Sequence, residues 1–144
     1  MACDLSVMAD DAYLLLPFVS MSLVPDGGTS WQLVNALGRK RAYEILLRGE
    51  KMSAQQCLDW GLVNRVVPRD ALLDATNSWA DELAEMAPLA MRCSKEALLF
   101  AQNHDLDATI SFEAKLQNMT YQSEDVIEGV AARFEKRKAV FKGR

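Results

Sequence analysis

One carboxylate, that of Asp26, lies in a turn suited to proton-transfer chemistry. Pro25 fixes its own φ, and Gly27 and Gly28 allow backbone conformations that other residues avoid. The helical pattern begins only after Thr29, so Asp26 is held on a rigid turn just before a helix. Its apolar neighbours, which would partly desolvate it and suit it to accept a proton, are Leu23, Val24 and Trp31. An isolated Asp-Gly-Gly is more often a plain helix N-cap, and the turn alone leaves both interpretations open.

Other residue types that carry chemistry are scattered along the chain. Cys3, Cys57 and Cys93 are far apart and odd in number, and their spacing fits neither a disulfide framework nor a metal site. His104 is the only histidine and has no nucleophile motif nearby. We therefore expect no metal ion, no bound cofactor, and reduced thiols of the kind found in a cytoplasmic protein.

Composition excludes several classes of partner. The chain has 144 residues, 50% of them hydrophobic, and a net charge of −4. That size and composition predict one ordinary domain with its own core, and the acidic balance argues against nucleic acid as a partner. The longest apolar run, residues 13–19, is too short to cross a bilayer, so we expect no membrane partner.

The pattern of residues 4–67 predicts short strands and helices that would position Asp26. Alternation and buried runs favour strands over residues 4–9 and 12–18, separated by a turn at Asp10 and Asp11. Two helices are expected over residues 29–37 and 39–47, broken by Gly38 and stopped by Gly49. Ser53 and Gln56 form a capping box for a helix that Gly61 ends, and residues 63–67 are strand-like.

The second half of the chain is predicted to be helical throughout. Asp70 is expected to cap a helix that extends to about Met86, and Pro88 suits the first position of the next helix, to about Asn103. Two further helices are expected over residues 105–122 and 124–138. The helix over residues 106–121 has apolar side chains on more than one face, which predicts several packing partners.

Five blocks, taken in order, resemble the crotonase superfamily, the enoyl-CoA hydratases and isomerases. They cover residues 16–29 around Asp26, Ala2-Cys3-Asp4-Leu5, the segments 49–54 and 61–68, and the C-terminal motifs at 128–129, 134–138 and 141–144. The resemblance extends over essentially all 144 residues. It implies an α-rich α/β fold of the ClpP/crotonase type, with residues 1–68 as the end of the spiral core and residues 69–144 as a helical region. In the family that helical region forms trimers, so the resemblance implies a homotrimer or a dimer of trimers.

The same resemblance implies that a preceding half is absent from this chain. Family members normally carry an N-terminal half with a Gly-rich loop, whose two backbone N–H groups bind the thioester oxygen. No segment here matches it, so the chain is expected to be the C-terminal half of a crotonase. The chain taken alone would then be a catalytically incomplete fragment or an oligomerisation module, and this interpretation stays open beside an enzymatic one.

The resemblance also implies a type of reaction. Hydratases of the family use two Glu residues, one of them in a Pro-Glu pair where this chain has Pro17-Phe18. Isomerases often carry one acid eight positions further on, where this chain has Asp26. The pair of Phe18 and Asp26 is therefore similar to Δ3,Δ2-enoyl-CoA isomerases, including the phenylacetate-pathway isomerase that rearranges a ring epoxide CoA ester. Ser22 replaces a commoner Gly. An enoyl-CoA hydratase is the weaker alternative.

Substrate contacts follow from the same comparison. The substrate would be a coenzyme A thioester, with Phe18, Leu23 and Trp31 beside its acyl part. A basic cluster near the C-terminus includes Lys136, which matches the family position that contacts the anionic coenzyme A, and Arg133 stands where an aromatic residue is often found. The competing interpretation is a solvated helix end whose cations complement the helix dipole.

Overall fold

A computed structural model describes residues 2–144 of the chain. These residues form two compact units, the first ending at Ser78 and the second running from Trp79 to Arg144. The division falls inside a helix, α3 (Leu72–Ala84). The first unit contains all four strands and the second contains helices only beyond that point. The α-rich α/β class expected from the sequence is confirmed.

Four short strands pair in two separate ladders within the first unit. Strand β1 (Val7–Ala9) runs parallel to β4 (Arg65–Val67), with Met8 opposite Val66. Strand β2 (Tyr13–Leu14) runs antiparallel to β3 (Met52–Ser53). The predicted strand over residues 12–18 is therefore wrong beyond Leu14. Pro17 cannot donate to a ladder, and the chain turns instead into a 3-10 helix at Val19–Met21.

Two helices complete the first unit. Helix α1 (Thr29–Arg48) is broken at Gly38, whose φ of 71° and ψ of 160° are not helical, and it ends at Gly49, as predicted. A Cβ at Gly49 would lie 3.5 Å from the Pro17 Cα. Helix α2 (Ala54–Asp59) starts with the predicted Ser53 and Gln56 capping box. The buried cluster of this unit comprises Leu16, Leu33, Ala42, Ile45, Met52, Cys57 and Leu62.

Three more helices follow α3 in the second unit: α4 (Pro88–Ala101), α5 (Leu106–Tyr121) and α6 (Glu124–Glu135). Pro88 opens α4 as predicted, and the side chain of Ser123 caps α6 by accepting from the Val126 N–H. Asp70 does not cap α3, because it lies inside a 3-10 turn at Arg69–Ala71 and α3 begins at Leu72. Helix α6 stops before the predicted residue 138, because Lys136 adopts a left-handed conformation.

Candidate functional site

The Asp26 turn is built from backbone conformations that favour glycine. Gly27 has a φ of 56° and Gly28 a φ of 81°, both in the left-handed region. No atom lies within 4 Å of a Cβ placed at either glycine, so backbone conformation and not space requires glycine there. The Asp26 carbonyl accepts a hydrogen bond from the Thr29 N–H at 2.9 Å, which closes the turn. Asp26 is therefore presented on a pre-organised backbone immediately before α1.

A second tight turn lies upstream. The Phe18 carbonyl accepts from the N–H groups of Met21 and Leu23 at 3.1 and 2.9 Å, and the Ser20 hydroxyl donates to the Pro17 carbonyl at 2.8 Å. Ser22 has a φ of 60°, in the left-handed region, at the position where the resemblance implies a commoner Gly. Any residue other than glycine is strained in this conformation, so Ser22 adds backbone strain to the turn.

The Asp26 carboxylate is exposed, and no hydrogen bond or ion pair engages it within residues 2–144. The N-cap of α1 is Gly28, with no side-chain capping bond, so the interpretation of Asp26 as a plain N-cap is wrong. The expected desolvation is not supplied by the described residues either. Leu23 and Trp31 are 56% and 44% exposed. An exposed carboxylate with apolar neighbours can accept a proton once another surface or a substrate covers it.

The other residues expected near the acyl group divide into two kinds. Phe18 is partly buried and packs against the buried cluster of the first unit, so its ring belongs to the scaffold as much as to any surface. Leu23, Val24 and Trp31 remain exposed in the same segment as Asp26, with Val24 at 82%. The first unit therefore presents one carboxylate and a set of exposed apolar side chains along residues 23–31.

The basic cluster lies in the second unit, at and beyond the end of α6. Lys136 is exposed and occupies the left-handed position that ends the helix. Three of its basic neighbours are used in ion pairs: Arg137 with Glu128 and Glu135, Lys138 with Glu85, and Arg144 with Glu124. Arg133 and Lys136 form no ion pair within residues 2–144. The cluster is thus partly neutralised, and Lys136 is one of its unpaired cations.

Charge partners shift the pKa of the Glu128 and Arg137 side chains. Hydrogen bonds from Arg137 and from the Val140 N–H, with weaker contributions from nearby cations, lower the pKa of Glu128 to about 2. The carboxylates of Glu128 and Glu135 raise the pKa of Arg137 further above its ordinary value. In the first unit, burial raises the pKa of the Cys57 thiol. That thiol therefore stays protonated and serves as a packing residue.

Residues 2–144 contain neither a metal-binding cluster nor a membrane-spanning helix. Their His, Cys, Asp and Glu side chains form no group of three or more that could hold a metal ion. None of the helices in this part of the chain combines the length and apolarity needed to cross a membrane. His104 is exposed and stacks on Phe100 at a ring separation of 3.6 Å.

Comparison with known proteins assigns the family. The family model for enoyl-CoA hydratase/isomerase matches residues 1–144. The chain belongs to this family. A solved structure described as enoyl-CoA hydratase subunit I, from Geobacillus kaustophilus, superimposes with a TM-score of 0.94 and is 40% identical, covering 99% of this chain and 55% of that one. The crotonase fold implied by the sequence motifs is therefore confirmed.

Curated relatives of the same family carry different activities in their names. The chain is 34% identical over 142 residues to 2,3-dehydroadipyl-CoA hydratase from Escherichia coli, covering 99% of this chain and 56% of that protein. It is 32% identical over 141 residues to 1,2-epoxyphenylacetyl-CoA isomerase from the same organism, covering 98% and 54%. A carnitinyl-CoA dehydratase from Citrobacter koseri is 36% identical over 148 residues, covering 100% and 57%. The chain spans about half the length of these relatives.

Two acidic residues that hold the C-terminal segment were not predicted from the sequence. Asp125 is buried, and its carboxylate accepts the N–H groups of Lys142 and Gly143 at 2.7 and 2.8 Å. Glu128 lies three residues later on the same helix and accepts the Val140 N–H at 2.9 Å. The spacing of two acids on one helix face, followed by a basic segment, is a signal that could have indicated these contacts.

Proposed function

We propose that the protein is an isomerase of the enoyl-CoA hydratase/isomerase family, which moves the double bond of a 3-enoyl-CoA to position 2. The observation that carries this proposal is the combination of Phe18, where hydratases have Glu, with Asp26 on a rigid left-handed turn and without a partner in residues 2–144. A phenyl ring cannot transfer a proton. One carboxylate suffices for isomerisation, whereas hydration in this family uses two.

Asp26 would act as the single acid and base of the reaction. Its carboxylate takes a proton from C2 of the acyl group, and the electron pair left on carbon delocalises onto the thioester oxygen as a dienolate. The protonated Asp26 then returns the proton to C4, and the double bond comes to lie between C2 and C3. The rigid turn supports this role, because one group must reach both carbons without rearrangement of its backbone.

The dienolate needs hydrogen-bond donors at its oxygen, which the family resemblance assigns to the Gly-rich loop of the other half. Losing one such donor typically costs about 10²–10³ in rate. The active species would therefore combine this chain with that half. The exposed apolar side chains of the helical region, such as Leu106 at 72% and Ile127 at 72%, favour further contacts and support the trimer that the resemblance implies.

Lys136 would contact the phosphates of the coenzyme A part of the substrate. Its exposed ammonium group has no ion-pair partner in residues 2–144, and its positive charge attracts a negatively charged phosphate. This contact is a proposal separate from the chemistry of Asp26, because the two residues belong to different units of the chain.

Comparison of two reactions tests the proposed activity. The chain is joined to an N-terminal half of a family member, and isomerisation of 3-enoyl-CoA is measured beside hydration of 2-enoyl-CoA. We expect isomerisation to be at least about a hundredfold faster, the lower end of the roughly 10²–10⁴-fold that a missing general acid or base costs. Hydration as fast as isomerisation would contradict the proposal and favour the hydratase alternative. The 144-residue chain alone should show no turnover.

A further inference from the structure

Lys136 occupies a backbone conformation that lysine normally avoids. Helix α6 ends with the Lys136 N–H donating to the Arg133 carbonyl at 3.4 Å and the Arg137 N–H donating to the Ala132 carbonyl at 3.0 Å. This is the Schellman arrangement, whose left-handed residue is usually glycine. Here it is Lys136, with φ of 55° and ψ of 38°. Glycine would adopt this conformation at a lower conformational energy, so Lys136 is a strained residue. Such outliers concentrate at functional positions.

Ionic contacts hold the next residue in place. The Arg137 guanidinium donates to both Glu128 carboxylate oxygens, at 2.6 and 2.9 Å, and its Nε donates to Glu135 at 2.6 Å. A bidentate contact between a planar guanidinium and a carboxylate fixes orientation as well as distance. We call the contacts of Arg137 with Glu128 and Glu135 the clasp. Because Arg137 follows Lys136 directly, the clasp limits the rotations available to the backbone at Lys136.

The rest of the C-terminal segment is fastened to the same helix. Glu128 also accepts the Val140 N–H, and the buried Asp125 carboxylate accepts the N–H groups of Lys142 and Gly143. The ring of Phe141 lies 3.4 Å from a Cβ placed at Gly129, so the segment packs closely on α6. Residues 137–144 therefore form a strap along α6, and Lys136 is the turn between helix and strap.

The contacts separate the cations of this region by role. Arg137 is committed to the clasp, while the ammonium group of Lys136 has no ion-pair partner in residues 2–144. This arrangement is expected when the paired residue, Arg137, positions the backbone and the free residue, Lys136, binds a ligand. Removing Arg137 or Glu128 would leave the charge of Lys136 intact and change only how it is held.

We propose that Glu128 and Arg137 are positioning residues, which act through Lys136 by holding its left-handed turn so that the ammonium group is directed toward the phosphates of a coenzyme A ester. This inference rests on the proposed role of Lys136 in binding coenzyme A. It adds two residues that do not touch the substrate but determine how tightly it is bound.

The test uses the 144-residue chain and adenosine 3′,5′-bisphosphate, the phosphorylated adenosine of coenzyme A, with affinity measured by NMR titration at low ionic strength. Lys136→Ala should weaken binding about threefold to tenfold, the range for a charge-assisted contact near the surface. Glu128→Gln should weaken it about threefold. Glu124→Gln is the matched control, because it removes the same charge from the same helix and leaves the clasp intact.

The sign of the effect separates positioning from general electrostatics. Both Glu→Gln changes make the chain less acidic, so charge alone predicts tighter binding of an anion in each variant. Positioning predicts weaker binding in Glu128→Gln only. In the Lys136→Ala background, Glu128→Gln should have no further effect, because the residue through which it acts is gone. An equal loss in both backgrounds would show a merely structural role and overturn the inference.

Failure of the underlying proposal has a different signature. If Lys136→Ala leaves the affinity unchanged, or the unsubstituted chain does not bind the probe, the coenzyme A contact itself is wrong and the inference falls with it. If Lys136→Ala weakens binding and Glu128→Gln does not, only the positioning role is wrong. Lys136→Gly should raise the midpoint of thermal unfolding while weakening binding, which separates stability from function. A lower midpoint would show that the lysine is not strained.

Discussion

The Asp26 turn and the Lys136 turn both depend on left-handed backbone, but they achieve it in different ways. At Asp26 the unusual conformations fall on Gly27 and Gly28, and the proposed catalytic carboxylate belongs to the residue before them. At Lys136 the candidate binding residue is itself left-handed, and the next residue, Arg137, forms the ion pairs proposed to hold it there. The first turn is set by the conformational freedom of glycine, which does not depend on pH or salt. The proposed hold on the Lys136 turn comes from charges, and the strength of ion pairs depends on pH and salt.

Removal of the Asp26 carboxylate should have the largest effect of any change to either turn. In the joined protein described above, Asp26→Asn should lower the isomerisation rate by about two to four decades, the usual scale for loss of a general base. The turn should survive, because its conformation depends on the glycines. Asp70→Asn, an exposed acid in the same unit, is the control and should retain activity. A loss under tenfold for Asp26→Asn would assign the proton transfer to another residue.

Substitutions at Gly28 and Ser22 test the left-handed backbone of the Asp26 turn and of the turn upstream of it. Gly28→Ala forces an alanine to a φ of 81° and should lower the free energy of unfolding by about 1–2 kcal/mol. Ser22→Gly should raise the free energy of unfolding by about 1 kcal/mol, because glycine has no Cβ and adopts a φ of 60° without strain. Denaturant unfolding of the two variants measures both changes. The same sign in both would show that left-handed strain is not what these positions share.

Acid should loosen the Lys136 turn and leave the Asp26 turn unaffected. Glu128 has a pKa of about 2, below its ordinary 4.5, so the folded state favours its ionised form. Its stabilising contribution is therefore fully present above about pH 5 and is lost as the pH falls toward its folded pKa. The chemical shift of the Val140 amide, which donates to Glu128, should follow this loss. A titration of the Val140 amide that persists unchanged in Glu128→Gln would show that Glu128 is not its source.

Local residue chemistry predicted much of the fold before any tertiary contact was known. Gly38 and Gly49 predicted a break and an end in α1, and Ser53 with Gln56 predicted the start of α2, because these features depend on neighbours within one turn. The strand predicted over residues 12–18 failed after Leu14. A buried apolar run is compatible with several conformations, and the choice depends on what the chain packs against.

The sequence by itself determined the family, the carboxylate at Asp26 and the glycines that hold it, since each of these follows from residue types at fixed spacing. Only the tertiary structure decided which cations are free. The sequence shows a basic cluster at the C-terminus, but Arg137 is paired through Glu128, nine positions earlier in the chain. Asp125 reaches Gly143 across 18 positions. Contacts at such separations depend on how the segment folds back on α6. Two acids on one helix face can indicate that a basic segment packs there, but they do not specify which backbone groups of that segment they hold.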